Sequence, residues 1–313
     1  MIINTGMRTD IPAYYSEWFF NRIHEGFVMV RNPYYQEQVT RYRLTPDVVD
    51  LIEFCTKNPA PMLPRMNELS GHGMFWFVTI TPYGIDVEPN VPPKEEVMES
   101  FKKLSDIVGV NSISWRYDPI FINEKYTIEY HIKTFEQMAA SLAGSTGQVV
   151  ISFIDLYSKT LKNFPSAKEV TSDERLIIGK EFARIGQKYG IRVRSCFEGN
   201  DLAPFGVDAS GCITKSILEK SLGTRLSIPK ETNPRQNGRF TCSCVLGRDI
   251  GMYNTCGHMC RYCYANQDAK TVKRNMAAHI PTSPFLIGSS RPGDIVRDAV
   301  QEPYATGQLF LDI

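Results

Sequence analysis

The alternation of short apolar runs with longer helical patterns constrains the fold of this chain more than any other feature of its sequence. The runs predicted as strands are IIN near residue 2, LIEFCT at 51–56, MFWFVTIT at 74–81, SISWRY at 112–117, QVVISFID at 148–155 and IRVRSCF at 191–197. The helical patterns between them cover residues 12–25, 93–107, 127–142 and 173–189. Near-continuous apolar strands are typical of a parallel sheet covered on both faces. The alternation therefore predicts an α/β fold of βαβ units, as an open or partial (β/α) barrel.

The composition changes after about residue 205, and this change suggests three regions. Residues 1–205 carry the strand and helix alternation of the partial barrel. Residues 206–248 are rich in turn formers, poor in periodicity and contain cysteines, so we predict an irregular segment held by a metal centre. Residues 249–313 carry a compact cysteine loop and are predicted to complete the barrel.

Charge and cysteine usage limit the classes of function. Lys plus Arg (35) nearly balances Asp plus Glu (34), so no overall field attracts nucleic acid or an anionic membrane. The N-terminus lacks an export signal and no apolar run approaches bilayer length, which predicts a cytoplasmic protein. A reducing compartment argues against a disulfide framework for the 8 cysteines. Most of them follow residue 195, and this skew favours a metal site.

The most specific local pattern is C-x3-C-x2-C in the run CGHMCRYCYAN, formed by Cys256, Cys260 and Cys263. Soft thiolates in one compact loop suit an iron–sulfur cluster. Three cysteines would bind three irons of a [4Fe-4S] cube and leave the fourth open to S-adenosylmethionine. The alternatives are a structural zinc site, with His258 or another cysteine as the fourth ligand, and a coincidental group of buried thiols.

The spacing, with the aromatic Tyr262 just before the last cysteine, is similar to the signature of the radical SAM superfamily. That resemblance implies reductive cleavage of S-adenosylmethionine to a 5′-deoxyadenosyl radical, with electrons from a donor such as flavodoxin or ferredoxin. In most of the superfamily the loop follows the first barrel strand, whereas here it lies near the C-terminus. We therefore predict a permuted TIM-like barrel, in which the N-terminal strand is the neighbour that follows the cysteine loop and its helix.

Two further resemblances concern the rest of the chain. The segments around FCTKNPAPML and FVTITPYGIDVEPN look like the middle strands of spore photoproduct lyase and its relatives. This resemblance implies that Lys57 faces the methionine carboxylate of S-adenosylmethionine and that Thr79 takes the place of a serine on the next strand. A solvated loop lysine is the other interpretation of Lys57, and the Gly-Gly-Glu run of many relatives is missing. The chain as a whole resembles a bacterial domain-of-unknown-function family with a C-terminal CxxxCxxC motif, which implies no particular reaction.

Four of the remaining cysteines could form a second centre. Cys55 lies inside an apolar strand and is predicted to be core, which leaves Cys196, Cys212, Cys242 and Cys244. Four thiolates are a complete ligand set, and we predict an auxiliary iron–sulfur cluster. A zinc site with the same ligands, or reactive thiols such as a hydrogen-atom donor, stay open as alternatives.

Polar residues at other strand ends are weaker candidates. Arg116 could hold a carboxylate and Asp118 could bind ribose hydroxyls, although an Arg–Asp pair that fixes a loop is an equal reading. Asp155 and Glu198 also follow strands. We expect His131 to be packed or solvated, and His258 to act on the cluster from beside it.

Two other classes of function remain open. One is a zinc-stabilised binding protein that contacts nucleic acid through Arg235, Arg239 and the NPYYQEQVTRYR hairpin, which we do not favour. The other is an iron–sulfur electron carrier that does not cleave S-adenosylmethionine.

Overall fold

The computed structural model describes residues 1–229, 236–237, 240–241 and 243–310. The strands are β1 Ile2–Asn4, β2 Phe27–Arg31, β3 Gln38–Arg43, β4 Leu51–Thr56, β5 Gly73–Thr79, β6 Ile113–Ile120, β7 Gln148–Phe153, β8 Arg192–Ser195, β9 Thr224–Leu226, β10 Gln236–Asn237, β11 Phe240–Thr241, β12 Arg248–Asp249, β13 Ile295–Asp298 and β14 Ala305–Leu309. The α-helices are α1 Ile11–Tyr14, α2 Ser16–Glu25, α3 Lys94–Val108, α4 Ile128–Leu142, α5 Ser158–Asn163, α6 Ser172–Lys188, α7 Lys215–Leu222 and α8 Ala269–Ala277. Short 3-10 helices cover Leu63–Leu69, Val110–Ser112 and Ala203–Phe205. Within these residues no helix is both long and apolar enough to cross a membrane.

A parallel sheet of 7 strands forms the centre of the fold, in the order β12-β1-β4-β5-β6-β7-β8. The predicted α/β class is therefore confirmed, and α3, α4 and α6 form the helical crossovers between successive strands from β5 to β8. β1 lies between β4 and β12, so the N-terminal strand is the neighbour of the strand that precedes the cysteine loop. The permuted arrangement requires this pairing.

Alternating side chains divide the sheet into two faces. The first face carries Phe54, Trp76, Trp115 and Ile151, which pack in the large core against the crossover helices. These helices form where the sequence predicts them, because their apolar positions recur at helical spacing, and threonine side chains cap α4 and α6. Thr171, for example, forms a capping box with Glu174 at the start of α6.

Four cysteines pack on the second face, which is called the cysteine face here: Cys55, Cys196, Cys212 and Cys244. Its apolar strand residues include Leu51, Phe75, Phe77 and Val150, and a smaller core joins them to residues of the 206–248 segment: Cys212, Ile213, Leu218, Leu226, Cys244 and Val245. That segment is less irregular than predicted. It contains α7, which has Thr214 as its N-cap and a left-handed Gly223 at its C-terminus.

Small sheets surround the central one. β2 and β3 form the predicted hairpin, and β13 adds to it as a third strand, parallel to β3. β14 pairs with β9 in an antiparallel ladder. Among the described strands from residue 248 onward, only β12 belongs to the large sheet. β13 and β14 pair with β3 and β9 in the small sheets.

His131 is buried in α4, as expected of a packed histidine. Its Nδ1 lies 2.8 Å from the Tyr117 hydroxyl and its Nε2 lies 2.9 Å from the Phe121 carbonyl oxygen, which fits a neutral ring. Burial lowers the pKa of His131 to about 4 from an ordinary value of 6.5. A lowered histidine pKa means that the unfolded chain takes up the proton first, so this contribution to stability is lost as the pH falls from about 6.5 to 4.

We therefore expect His131→Gln, which cannot titrate, to reduce the acid sensitivity of the protein. The loss of unfolding free energy between pH 7 and pH 4.5 should be smaller in the variant by about 2 kcal/mol. Urea unfolding at the two pH values measures the difference. An equal pH dependence in both proteins would contradict the assigned neutral state.

Candidate metal centre

The cysteine loop starts directly after β12 at the carboxyl edge of the parallel sheet. Loops that follow β1 and β5 hold it by hydrogen bonds. The Arg261 amide donates to the Val87 carbonyl oxygen (2.9 Å), and the Asn90 side-chain amide donates to the Gly257 carbonyl oxygen (2.8 Å). Thr255 lies 2.8 Å from Thr9, hydroxyl to hydroxyl. The loop therefore lies where α/β enzymes place their chemistry.

His258 is buried inside the loop and acts as its anchor. Its Nε2 lies 2.9 Å from Oδ2 of Asp10, and its Nδ1 lies 3.1 Å from the Tyr14 hydroxyl. Asp10 also accepts a hydrogen bond from the Lys57 amide, so one carboxylate joins the loops after β1, β4 and β12. Because both ring nitrogens have protein partners, this arrangement disfavours His258 as a fourth zinc ligand.

Gly257 allows the loop to approach the aromatic ring of Tyr14. A Cβ atom at position 257 would lie 2.7 Å from Cε1 and 2.8 Å from Cζ of Tyr14, which is closer than side chains pack. The Tyr14 hydroxyl is held by His258, so the ring cannot move aside without breaking that contact.

We expect Gly257→Ala to displace the cysteine loop and to destabilise the protein by about 1–3 kcal/mol, as overpacking usually does. The metal content of the purified protein should fall in parallel. Gly147→Ala is the matched control, because a Cβ atom there meets nothing within 4 Å. Chemical unfolding and metal analysis of both variants check this prediction, and equal behaviour of the two would contradict it.

The three loop thiols lie in a buried environment with backbone donors. Burial raises the pKa of Cys256 and of Cys263, and raises that of Cys260 to about 12. The Ala265 amide lies 3.3 Å from Sγ of Cys263, and the His258 amide lowers the pKa of Cys256 by hydrogen bonding. Burial outweighs the nearby charge of Lys57, so the raised pKa values favour the protonated thiols and argue against a simple nucleophilic role. Amide donors aimed at sulfur suit thiolates that bind metal.

The three thiols are close enough to influence one another, since Cys260 and Cys263 both raise the pKa of Cys256. Among the described residues, however, no three His, Cys, Asp or Glu side chains are arranged to hold one metal ion. A cube differs from a single ion because its three cysteines bind three different irons and point to separate corners. Three cysteine sulfurs with backbone amide donors are a donor set of the kind that iron–sulfur clusters use.

Glu88 is the centre of a hydrogen-bond network beside the cysteine loop, and the sequence alone did not indicate it. Its buried carboxylate accepts hydrogen bonds from Lys57 Nζ (2.8 Å), from Thr81 (2.6 Å), and from Lys94 and the Tyr262 hydroxyl at short range. Burial disfavours its charge, but the ammonium groups of Lys57 and Lys94 lower its pKa to about 2. The signal in the sequence is its position in the loop that follows a predicted strand, where barrel enzymes often place functional groups.

The structure brings Lys57 and Tyr262 together around Glu88. Lys57 follows β4 and its Nζ lies 5.7 Å from the centre of the Tyr262 ring. The positive charge of Lys57 lowers the pKa of Cys260, although burial is the larger influence and raises it. Two predicted site residues and one predicted metal ligand therefore share one environment.

The other predicted site residues lie at the end of β5 and within β6. Thr79 is the last residue of β5 and pairs in register with Arg116. Arg116 forms an ion pair with Asp118 (Nη2 to Oδ2, 2.5 Å), and Asp118 also accepts from Ser152. An Arg–Asp pair at this place was one of the two interpretations of the sequence. Burial lowers the pKa of Arg116, but Asp118 and the nearby thiols outweigh it and raise that pKa well above its ordinary value.

The second group of cysteines lies on the cysteine face. Sγ of Cys212 lies 3.7 Å from Sγ of Cys196 and 3.3 Å from Sγ of Cys244, and the Cys212 amide lies 3.1 Å from Sγ of Cys244. Cys242 lies outside the described residues. Arg116 is within electrostatic reach of Cys196 and Cys212 of this group, and of Cys55.

The remaining candidates lie apart from the loop thiols or outside the described residues. Glu198 accepts from the Phe153 amide and pairs with Arg175 at 3.0 Å, and burial raises its pKa to about 7. Asp155 is exposed and accepts from the Tyr157 hydroxyl. Arg235 and Arg239, proposed for nucleic acid, are not among the described residues, while Tyr34 and Tyr35 are exposed in the hairpin turn.

Comparison with known proteins gives a family but no activity. No curated protein sequence matches the chain. The family model described as "Domain of unknown function (DUF1848)" matches residues 2–265, a range that contains all 8 cysteines. The chain therefore belongs to the DUF1848 family.

Proposed function

We propose that this protein is a radical SAM enzyme that binds a [4Fe-4S] cluster through Cys256, Cys260 and Cys263. One observation carries the proposal: a C-x3-C-x2-C loop follows a parallel strand at the carboxyl edge of the sheet. Cys260 is buried, Cys256 and Cys263 are half-buried, and backbone amides donate to the sulfurs of Cys256 and Cys263. When bound, the cluster would supply the electron that breaks a carbon–sulfur bond of S-adenosylmethionine and yields a 5′-deoxyadenosyl radical.

The proposal includes a finer description of the fold as a permuted partial (β/α) barrel. The sequential strand order from β1 to β8, with β12 beside β1, supports it. In such a barrel the cysteine face would be the interior, and the described residues of the 206–248 segment that pack on it, such as Cys212, Leu218 and Val245, would fill part of it. The cluster loop would then open onto the interior from the carboxyl ends of the strands.

The residues around the loop have defined tasks in this proposal. Lys57 carries three donor protons and Glu88 takes one, so others can bind the methionine carboxylate of S-adenosylmethionine. Thr79 ends β5 beside Arg116 of β6, which pairs with Asp118, and these three residues would contact the rest of the cosubstrate. Tyr262, held by Glu88, would fix the loop between its second and third cysteines.

Cys196, Cys212 and Cys244 support a second metal centre in the same proposal. Their short sulfur–sulfur distances and their position on a buried sheet face favour one metal centre bound by all three thiols over unrelated core thiols. We retain an auxiliary iron–sulfur cluster as the proposed occupant and zinc as the alternative, since single zinc ions bind cysteines that lie this close together. Iron and zinc analysis of Cys196→Ser against the parent protein separates the two.

Anaerobic reconstitution followed by reduction tests the function. We expect a brown protein that produces 5′-deoxyadenosine from S-adenosylmethionine when it receives electrons from reduced flavodoxin or dithionite. A zinc-stabilised binding protein would be colourless and contain no iron. An electron carrier would be brown but would leave S-adenosylmethionine intact, and either result would refute the proposal.

A further inference from the structure

A cavity lies beside the start of the cysteine loop, next to β2 and α8. Its volume is about 360 Å³, which lies in the range of small-molecule sites. It is enclosed by β2, the start of the cysteine loop, α8 and the segment that follows α8. Its lining contains none of the cysteines and none of the residues proposed to contact S-adenosylmethionine.

The walls of this cavity are apolar and its polar groups are mainly cationic. Met29, Ile250, Met252 and Ile287 provide apolar surface, and Arg31, Arg274 and Arg291 provide guanidinium groups. None of the lining residues, all of which belong to the described part of the chain, is acidic.

The three arginines differ in how their charge is balanced. Arg31 is paired with Asp294, which also accepts a hydrogen bond from the Arg291 backbone amide. Within the described residues the guanidinium groups of Arg274 and Arg291 form no ion pair with a carboxylate. Arg291 is also within electrostatic reach of Asp294. One carboxylate therefore faces three guanidinium groups, and the cavity keeps a net positive charge.

From this combination we propose that the cavity binds a small anion with an apolar body, such as a carboxylate, sulfonate or phosphate ester. Arg274 and Arg291 bind the anionic group, because guanidinium forms charge-assisted, bidentate hydrogen bonds to such oxygens. The apolar walls bind the body of the ligand and select against inorganic phosphate, which has no apolar surface to bury.

The cavity is connected to the cysteine loop through two hydrogen bonds. The Thr255 hydroxyl donates to the Met252 carbonyl oxygen (2.6 Å), and the Asn275 side-chain amide donates to the Asn254 carbonyl oxygen (3.0 Å). Met252 and Asn275 line the cavity, while Asn254 and Thr255 directly precede Cys256. The ligand therefore contacts the outer side of the loop, and its binding does not depend on the proposed radical chemistry.

A pair of matched probes tests the proposal. The sulfonate 1-anilinonaphthalene-8-sulfonate and the neutral N-phenyl-1-naphthylamine differ in the anionic group, so their affinity ratio measures anion recognition. Equilibrium dialysis with the protein as purified gives both affinities, whether or not an iron–sulfur cluster is bound. We expect the sulfonate to bind at least about ten-fold more tightly.

Three variants connect this ratio to the cavity. Arg274→Gln with Arg291→Gln should reduce the ratio to about one and leave the neutral probe bound, whereas Arg184→Gln, on the distant helix α6, should change nothing. Ala278→Trp should fill the cavity and remove the binding of both probes. A ratio near one in the parent protein, an unchanged ratio in the double variant, or full binding in Ala278→Trp would overturn the proposal.

Discussion

Replacement of Cys260 by alanine should abolish the production of 5′-deoxyadenosine, with a loss of at least about 100-fold, and should leave the α/β fold intact. A ligand deleted from a three-cysteine site leaves one iron of the cube without a protein thiolate, which is more damaging than the loss of a supporting hydrogen bond. Cys260 is the central cysteine of the motif and its thiol lies near Lys57. Iron content and 5′-deoxyadenosine, measured after anaerobic reconstitution and reduction, give the two readouts.

Cys55→Ala is the matched control for this experiment. Cys55 is half-buried, and desolvation raises its pKa to about 11, but it lies within β4 and outside the motif. We expect the control to retain the iron bound by the loop. If Cys260→Ala kept full cleavage activity, the assignment of the loop as the cluster ligand would be wrong.

The second large effect concerns Glu88, and we expect Glu88→Gln to lower the free energy of unfolding by about 3 kcal/mol at pH 7. The side chain of Glu88 is fully buried, and those of Lys57 and Lys94 are only 12% and 18% exposed. Loss of the carboxylate charge leaves two ammonium groups in a poorly solvated environment, which costs far more than the loss of a surface pair. Urea unfolding at pH 7 measures the change.

Glu99→Gln provides the comparison, because Glu99 forms an exposed ion pair with Lys102 on the surface of α3. Surface pairs of this kind contribute little, so we expect a much smaller change than that of Glu88→Gln. Equal losses for the two variants would show that Glu88 does not have the role assigned to it.

The effect of Glu88 should also depend on pH in a defined direction. The folded-state pKa of Glu88 is depressed to about 2 from an ordinary value of 4.5. Its contribution is therefore complete above about pH 4.5 and is lost as the pH falls toward 2. The difference between the parent protein and Glu88→Gln should be about 2 kcal/mol smaller at pH 3 than at pH 7.

Local sequence patterns determined most of the secondary structure. The helices predicted at 93–107, 127–142 and 173–189 form at Lys94–Val108, Ile128–Leu142 and Ser172–Lys188. The strand predicted at 51–56 forms at those residues. These elements were predictable because periodicity and capping act over a few neighbouring residues. The sequence did not predict α7, because its short pattern lies among turn-forming residues. It did not predict β13 and β14, because these exposed edge strands lack an apolar repeat.

The sequence by itself also determined which thiols could act together in the loop, because three cysteines within eight residues cannot lie far apart. Only the tertiary structure decided what surrounds them. Glu88 meets Lys57 and Tyr262, and Asp10 meets His258, through contacts between residues distant in the sequence. No local pattern encodes such contacts. They follow from the parallel strand order, which brings the carboxyl ends of β1, β4, β5 and β12 to one edge of the sheet.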